Sequence, residues 1–223
     1  MATVVTYSML HDVAPASIVE QAVAAAPTAA SPLELVRRLD WRFLLPDPAL
    51  GDVVHCGLKQ GMLLDALRLT ATRVGPLRER SLRGGACDVG VAINPSATKL
   101  SRMADLVRPG GALYIEADRE RWTLSSARAG ARPLRTASDY LRECRRLGLV
   151  DATVYWSWPD HDNCLELIPC SVEAIRCTLK RRARSMKMRL VCGLIGQCAR
   201  WGIWEGIVPS FAVVALKPQT RPK

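Results

Sequence analysis

Histidine is scarce in this chain, with three in 223 residues, so a Ser/His/Asp triad cannot be argued from it. Eight cysteines are present, but no Cys-x-x-Cys pair is among them and their spacing follows no zinc-ligand pattern. They read as reduced, mostly buried thiols, and no metal site is expected. A Walker-type phosphate loop is also missing. No run of about twenty uninterrupted apolar residues occurs. The best stretch, Leu190 to Leu216, is broken by Arg200, Glu205 and Pro209, which argues against a spanning helix. The N-terminus lacks a basic segment followed by an apolar core and cleavage site, so no signal peptide is expected and the chain reads as cytoplasmic. Acid is short relative to base, 21 Asp and Glu against 31 Lys and Arg, a net charge of +10. That excess suggests an anionic partner, which could be nucleic acid, a membrane surface or an acidic substrate.

Apolar residues are not lacking. About half of the chain, 49%, is hydrophobic, enough for the core of one ordinary domain. The stretch that organises the rest runs from Cys87 to Asp118, CDVGVAINPSATKLSRMADLVRPGGALYIEAD. Its first part is an apolar strand bounded by Asp88 and Asn94-Pro95. Leu100, Met103, Ala104, Leu106 and Val107 then recur at helical spacing with Lys99, Arg102 and Asp105 opposite, and Pro109-Gly110-Gly111 punctuates the end. ALYIEAD is a second buried strand. A crossover of this length makes a right-handed parallel unit in an α/β sheet covered on both faces.

A strand opened by Asp, a helix and the phrase LVRPGGALYIE together resemble the fourth and fifth strands of class I S-adenosylmethionine-dependent methyltransferases. The resemblance implies a Rossmann-like three-layer sandwich with a mostly parallel sheet and an antiparallel last strand, and S-adenosylmethionine as cofactor. The family's first strand, glycine loop and first helix would then fall on GDVVHCGLKQGMLLDALR, where the loop pattern is met by His55, Gly57, Lys59 and Gly61. His55 stands in place of an acid and Lys59 in place of a glycine. Gly57 and Gly61 keep the tight turn that lets backbone approach a ligand at a helix N-terminus. The family also carries an acid after its second strand, for the ribose, and a further helix and strand before the fourth. Here only LTATRVGPLRERSLRGGA lies between Leu69 and Cys87, room for one strand over Thr70–Val74 and a loop. The sheet is therefore expected to be shortened at its second/third-strand edge. Glu79 is the one carboxylate in that stretch, a candidate for the ribose or else a solvated loop charge.

Upstream, residues 1–32 read as an N-terminal extension and 33–223 as the domain. Ser31 can cap a helix over SPLELVRRL, and Trp41, Phe43, Leu44 and Leu45 form an apolar cluster expected to pack on the sheet. Downstream, TASDYLRECRRLGL is an amphipathic helix with Thr136 or Ser138 as cap and Gly148 as stop. VDATVYWSWP and IVPSFAVVALKP would be the closing antiparallel pair of strands. Between them, at about 160–205, stands an insertion that reads mainly as helix. Arg176, Lys180, Arg181, Arg182, Arg184, Lys187, Arg189 and Arg200 are basic, and no acid occurs from Ala174 to Trp204. A basic helix followed by Trp201 and Trp204 suits an anionic membrane interface, with Lys180, Arg181, Arg182, Arg184, Lys187 and Arg189 as contacts. The same run could serve as a solvated lid. Nucleic acid suits it less, since no aromatics are interleaved for base stacking.

Methyl transfer from a sulfonium asks the protein mainly to position a nucleophile and remove its proton. Candidates at the C-terminal edge of the sheet are Asn94, Glu116, Asp118, Asp160, His161 and Asp162. His161 with Asp160 has the composition of a general base held by a carboxylate, or else of a polar turn. Asn94 closes the cofactor-binding set of His55, Gly57, Lys59, Gly61 and Glu79. Two functions follow. One is a methyltransferase acting on a small or lipid-linked biosynthetic intermediate. The other is a non-catalytic methyltransferase-like scaffold, or the partner subunit of another protein, with a basic helical insertion that would associate with the inner face of a membrane.

Overall fold

The computed structural model describes residues 31–58, 61–77, 85–118, 134–161, 163–182 and 186–219. A short helix α1 (Pro32–Arg37) and a 3-10 turn (Asp40–Leu44) precede β1 (Asp52–Cys56), α2 (Met62–Thr70) and β2 (Arg73–Pro76). Next come β3 (Cys87–Ile93), α3 (Ala97–Leu106), β4 (Val107–Asp118), α4 (Ala137–Arg146) and β5 (Val150–Trp158). The chain closes with β6 (Glu166–Pro169), α5 (Val172–Arg182), α6 (Met186–Arg200), α7 (Trp204–Ile207) and β7 (Ser210–Leu216).

One seven-stranded sheet runs in the order β2-β1-β3-β4-β7-β5-β6. β1 pairs in parallel with β2 and β3, and β3 in parallel with β4. β7 lies antiparallel to both β4 and β5. The fold is the expected α/β, Rossmann-like one with its last strand reversed. Among the described residues no strand lies beyond β2, which forms the short edge of the sheet.

The central unit follows from its sequence. β3 is buried along most of its length, and Ser96 caps α3 by accepting from the Lys99 N–H at 3.4 Å. Leu100, Met103, Ala104 and Leu106 turn into the core. At the other end Lys217 Nζ donates to the carbonyls of Ala104 at 2.8 Å and Val107 at 2.7 Å, which satisfies acceptors left open where the helix stops. One core layer holds Leu100, Met103, Tyr140, Ile175 and Trp204, on the side of α3 to α7. The other holds Leu39, Trp41, Leu63, Leu67 and Tyr114, on the side of α1 and α2.

Three local readings of the sequence are corrected by packing. α2 continues to Thr70, so β2 begins at Arg73 and not Thr70, because Leu64, Ala66 and Leu67 share one buried face at helical spacing. Phe43 is 63% exposed under the Arg42 guanidinium, while Trp41 and Leu45 carry the packing of their cluster. In the insertion, Glu166–Pro169 adds a seventh strand against β5. Four residues ending in proline give little periodic signal, and proline is tolerated there because the strand is at the edge.

Candidate functional site

Strand order reverses between β1 and β3, and in an open α/β sheet the crevice beyond the strand ends at such a point is where ligands lie. The chain leaves β1 at Gly57 with φ +82°, and a Cβ there would stand 2.5 Å from the Ile93 carbonyl oxygen. Only glycine allows that turn against the end of β3. Gly61 is the N-cap residue of α2, at φ +153°. His55, the penultimate residue of β1, is buried, and its Nδ1 has no hydrogen-bond partner among the described residues. Burial, with a smaller contribution from the Arg68 charge, lowers its pKa below the ordinary histidine value, so the ring is neutral at pH 7.

Asn94 follows β3 in the left-handed region, φ +44°, which asparagine tolerates. Its N–H donates to the Glu116 carbonyl at 2.8 Å, and its Oδ1 accepts from the Asp118 N–H at 3.0 Å. His55, Gly57 and Asn94 thus lie at the same end of the neighbouring strands β1 and β3, and Gly61 opens α2. Lys59 and Glu79 lie outside the described residues. The one residue that follows β2 within the description is Leu77, which is not a carboxylate.

A second polar group lies at the end of β4, where strand alternation puts Tyr114, Glu116 and Asp118 on the face covered by α1. Glu116 is 2% exposed and accepts two bonds from Arg38, each 2.6 Å long. Tyr114 Oη donates to the same carboxylate at 2.8 Å, and Trp41 stacks on the tyrosine ring at 3.9 Å, 6° from parallel. Burial by itself would raise the Glu116 pKa. The Arg38 charge and bonds outweigh it and hold the carboxyl below the usual range. Burial drives the Tyr114 phenol well above its ordinary value, and the Glu116 charge adds to this. At pH 7 the group is therefore an arginine cation, a carboxylate and a neutral phenol, each engaged with the next.

Beyond it, His161 is buried with Nε2 3.5 Å from Asp118 Oδ1 and 3.3 Å from the Ala117 carbonyl. Ser210 Oγ donates to the same Asp118 oxygen at 2.9 Å. Serine and histidine both turn to one carboxylate oxygen, so aspartate is the central member and the serine has no base beside it. That is not the order of a hydrolytic triad. Asp160 accepts from the Asn163 N–H at 2.7 Å, closing a turn. The carboxylate beside His161 is therefore Asp118 and not its sequence neighbour Asp160.

Sequence reasoning missed Arg38 and Tyr114. The available signal was Glu116 itself, a carboxylate in an otherwise apolar strand, which needs a cation when buried. Which of Arg37, Arg38 and Arg42 supplies it is decided by how α1 lies on the sheet.

In the insertion, Lys180 and Arg181 are exposed on α5 and Arg189 on α6, and Arg181 donates to Glu166 at 3.0 Å. Arg184 and the side chains of Arg182 and Lys187 lie outside the description. Among the described residues no group of three or more His, Cys, Asp or Glu could hold a metal ion, and no helix is long and apolar enough to cross a membrane.

No protein-family model matches the chain, and no curated protein does. Among solved structures it is similar to phosphoethanolamine N-methyltransferase 2 of Haemonchus contortus in complex with S-adenosyl-L-methionine, at 12% identity and a TM-score of 0.48. That alignment covers 82% of this chain and 52% of the other, so the chain spans about half the length of that enzyme. It is also similar to a SAM-dependent methyltransferase of Thermotoga maritima, at 13% identity and a TM-score of 0.41 over 84% of this chain and 89% of the other. Likeness at this level says nothing about substrate, and the fold stands on the strand order itself.

Proposed function

We propose that this chain binds S-adenosylmethionine in the crevice between the ends of β1 and β3 and methylates a small or lipid-linked acceptor. The observation that carries the reading is Gly57, whose positive φ and 2.5 Å approach to the Ile93 oxygen form a cradle that a Cβ would fill at the switch point of the sheet. Gly57 and the first N–H groups of α2, after Gly61, would receive the carboxylate end of the cofactor. The neutral, unpartnered His55 Nδ1 would offer one hydrogen bond where the family offers an acid. Asn94, bonded to β4, would form the opposite wall. The cofactor, when bound, supplies an electrophilic methyl group. The chain's part is to place the acceptor in line and take its proton. His161 suits that second task better than Asp160, because Asp118 orients its ring whereas Asp160 is engaged by Asn163.

A specific observation favours a second reading. Glu116, two residues before the end of β4, is sealed by Arg38 and Tyr114, and no described carboxylate follows β2. These features suit a methyltransferase-like scaffold or partner subunit in the cytoplasm that touches the inner face of a membrane through α5 and α6.

Titration calorimetry of the full chain with S-adenosylmethionine and S-adenosylhomocysteine separates the two. The first reading expects heat and a raised melting temperature with either ligand. It also expects Gly57→Ala, strained by its φ and by the Ile93 oxygen, to abolish the heat. No heat and no shift with the unmodified chain would remove the enzyme reading and leave the scaffold.

A further inference from the structure

Between α5 and α6 lies a cavity of about 320 Å³ whose lining includes Arg176, Lys180, Arg189 and Arg200. Among the described residues that line it none is acidic, and Leu179 and Cys192, both buried, supply apolar wall. Four cations around one space repel one another, and an anion placed among them relieves that repulsion while accepting charge-assisted hydrogen bonds. Inorganic phosphate alone would leave the apolar wall unused. A neutral lipid would make no use of the charges of Arg176, Lys180 and Arg200.

The remaining wall is glycine. Gly193 and Gly196 stand one turn apart within α6, where each costs the helix about 1 kcal/mol relative to alanine. Packing does not require them, since a Cβ built on either would meet nothing within 4 Å. The glycines keep this space open without bringing two backbones together. On the same helix Leu190 is 72% exposed and Leu194 53%, and Trp201 just beyond it is 65% exposed. Such apolar surface beside a cationic cavity suits a ligand with a charged head and a chain.

We propose that this cavity binds the phosphate head of an anionic amphiphile. Arg176, Lys180, Arg189 and Arg200 hold the phosphate, and the alkyl chain runs from Leu179 and Cys192 toward Leu190 and Leu194. The site is separate from the β1/β3 crevice, and its test uses no methyl donor, so failure here and failure of the methyltransferase reading are distinguishable.

The test is calorimetric titration of the full chain with dodecyl phosphate below its micelle concentration, with dodecyl maltoside and inorganic phosphate as controls. The unmodified chain should bind dodecyl phosphate more tightly than either control. Gly196→Leu favours the helix yet fills the cavity, and should weaken binding at least about tenfold without lowering the melting temperature. Arg176→Gln combined with Arg200→Gln removes two charge-assisted bonds and should also weaken binding by about tenfold or more. Flotation with phosphatidate-containing vesicles then assigns the source. Flotation lost in Gly196→Leu places the phosphate in a bilayer lipid, and monomer binding without flotation places it on a soluble amphiphile. Either result supports the site. The proposal is overturned if the unmodified chain does not bind dodecyl phosphate, if Gly196→Leu binds it as tightly, or if either control binds equally well.

Discussion

Replacing Arg38 with methionine tests the buried network most directly, because it removes one charge and keeps much of the side-chain volume. The two bonds to Glu116 are both 2.6 Å, and the side chains of Arg38 and Glu116 are 7% and 2% exposed. Breaking such a pair leaves an uncompensated buried carboxylate, which costs about 3–5 kcal/mol. For a domain of this length that corresponds to a fall in melting temperature of roughly 6–20 °C. The pH dependence should also change sign. In the native chain Glu116 titrates below its unfolded value, so its contribution is present above about pH 4.3 and is lost as pH falls through the folded value. Without Arg38 the burial that raises its pKa is largely unopposed. The folded chain then holds a proton the unfolded chain releases, and stability is lost as pH rises through the raised value. Urea denaturation from pH 4.5 to 8 reads both effects. The Arg38→Met chain should lose stability toward pH 8, where the native chain does not. Adding Glu116→Gln should recover most of the loss at pH 7, since the buried charge is gone and Tyr114 Oη can still donate to the amide oxygen. A loss below about 1 kcal/mol, or no recovery in the double variant, would refute the reasoning.

Lys217→Met should cost about 1–2 kcal/mol, because the ammonium bonded to the Ala104 and Val107 carbonyls closes the end of α3. Faster hydrogen exchange confined to the last turn of α3 is the local readout, and unchanged exchange there would count against the capping role. Thiol alkylation at pH 8 should mark Cys177 first, since it is exposed, whereas burial raises Cys87 to about 11 and Cys144 and Cys170 to about 12. Peptide mass mapping should find those three labelled only after unfolding in urea, and Cys144 labelling as fast as Cys177 would contradict the packing of α4.

The apolar runs CDVGVAI and ALYIEAD and the helical spacing of Leu100, Met103, Ala104 and Leu106 are local signals, and by themselves they determined the parallel unit at the centre of the sheet, whereas Val107 and Pro109-Gly110-Gly111, expected to close the helix, lie inside β4 where its register against β3 shifts. The gap between Leu69 and Cys87 was too short for another helix and strand, so the short edge was legible too. What remained depended on residues far apart in sequence. Glu116 meets Arg38 across 78 positions, and Ser210 meets Asp118 across 92. No periodicity reports such pairings, because they follow from how α1 and β7 lie on the sheet. The same holds for the cavity in the insertion. Its basic residues stand in plain sight in the sequence, but only the packing of α5 against α6 shows that four of them line one space and that Gly193 and Gly196 leave it open.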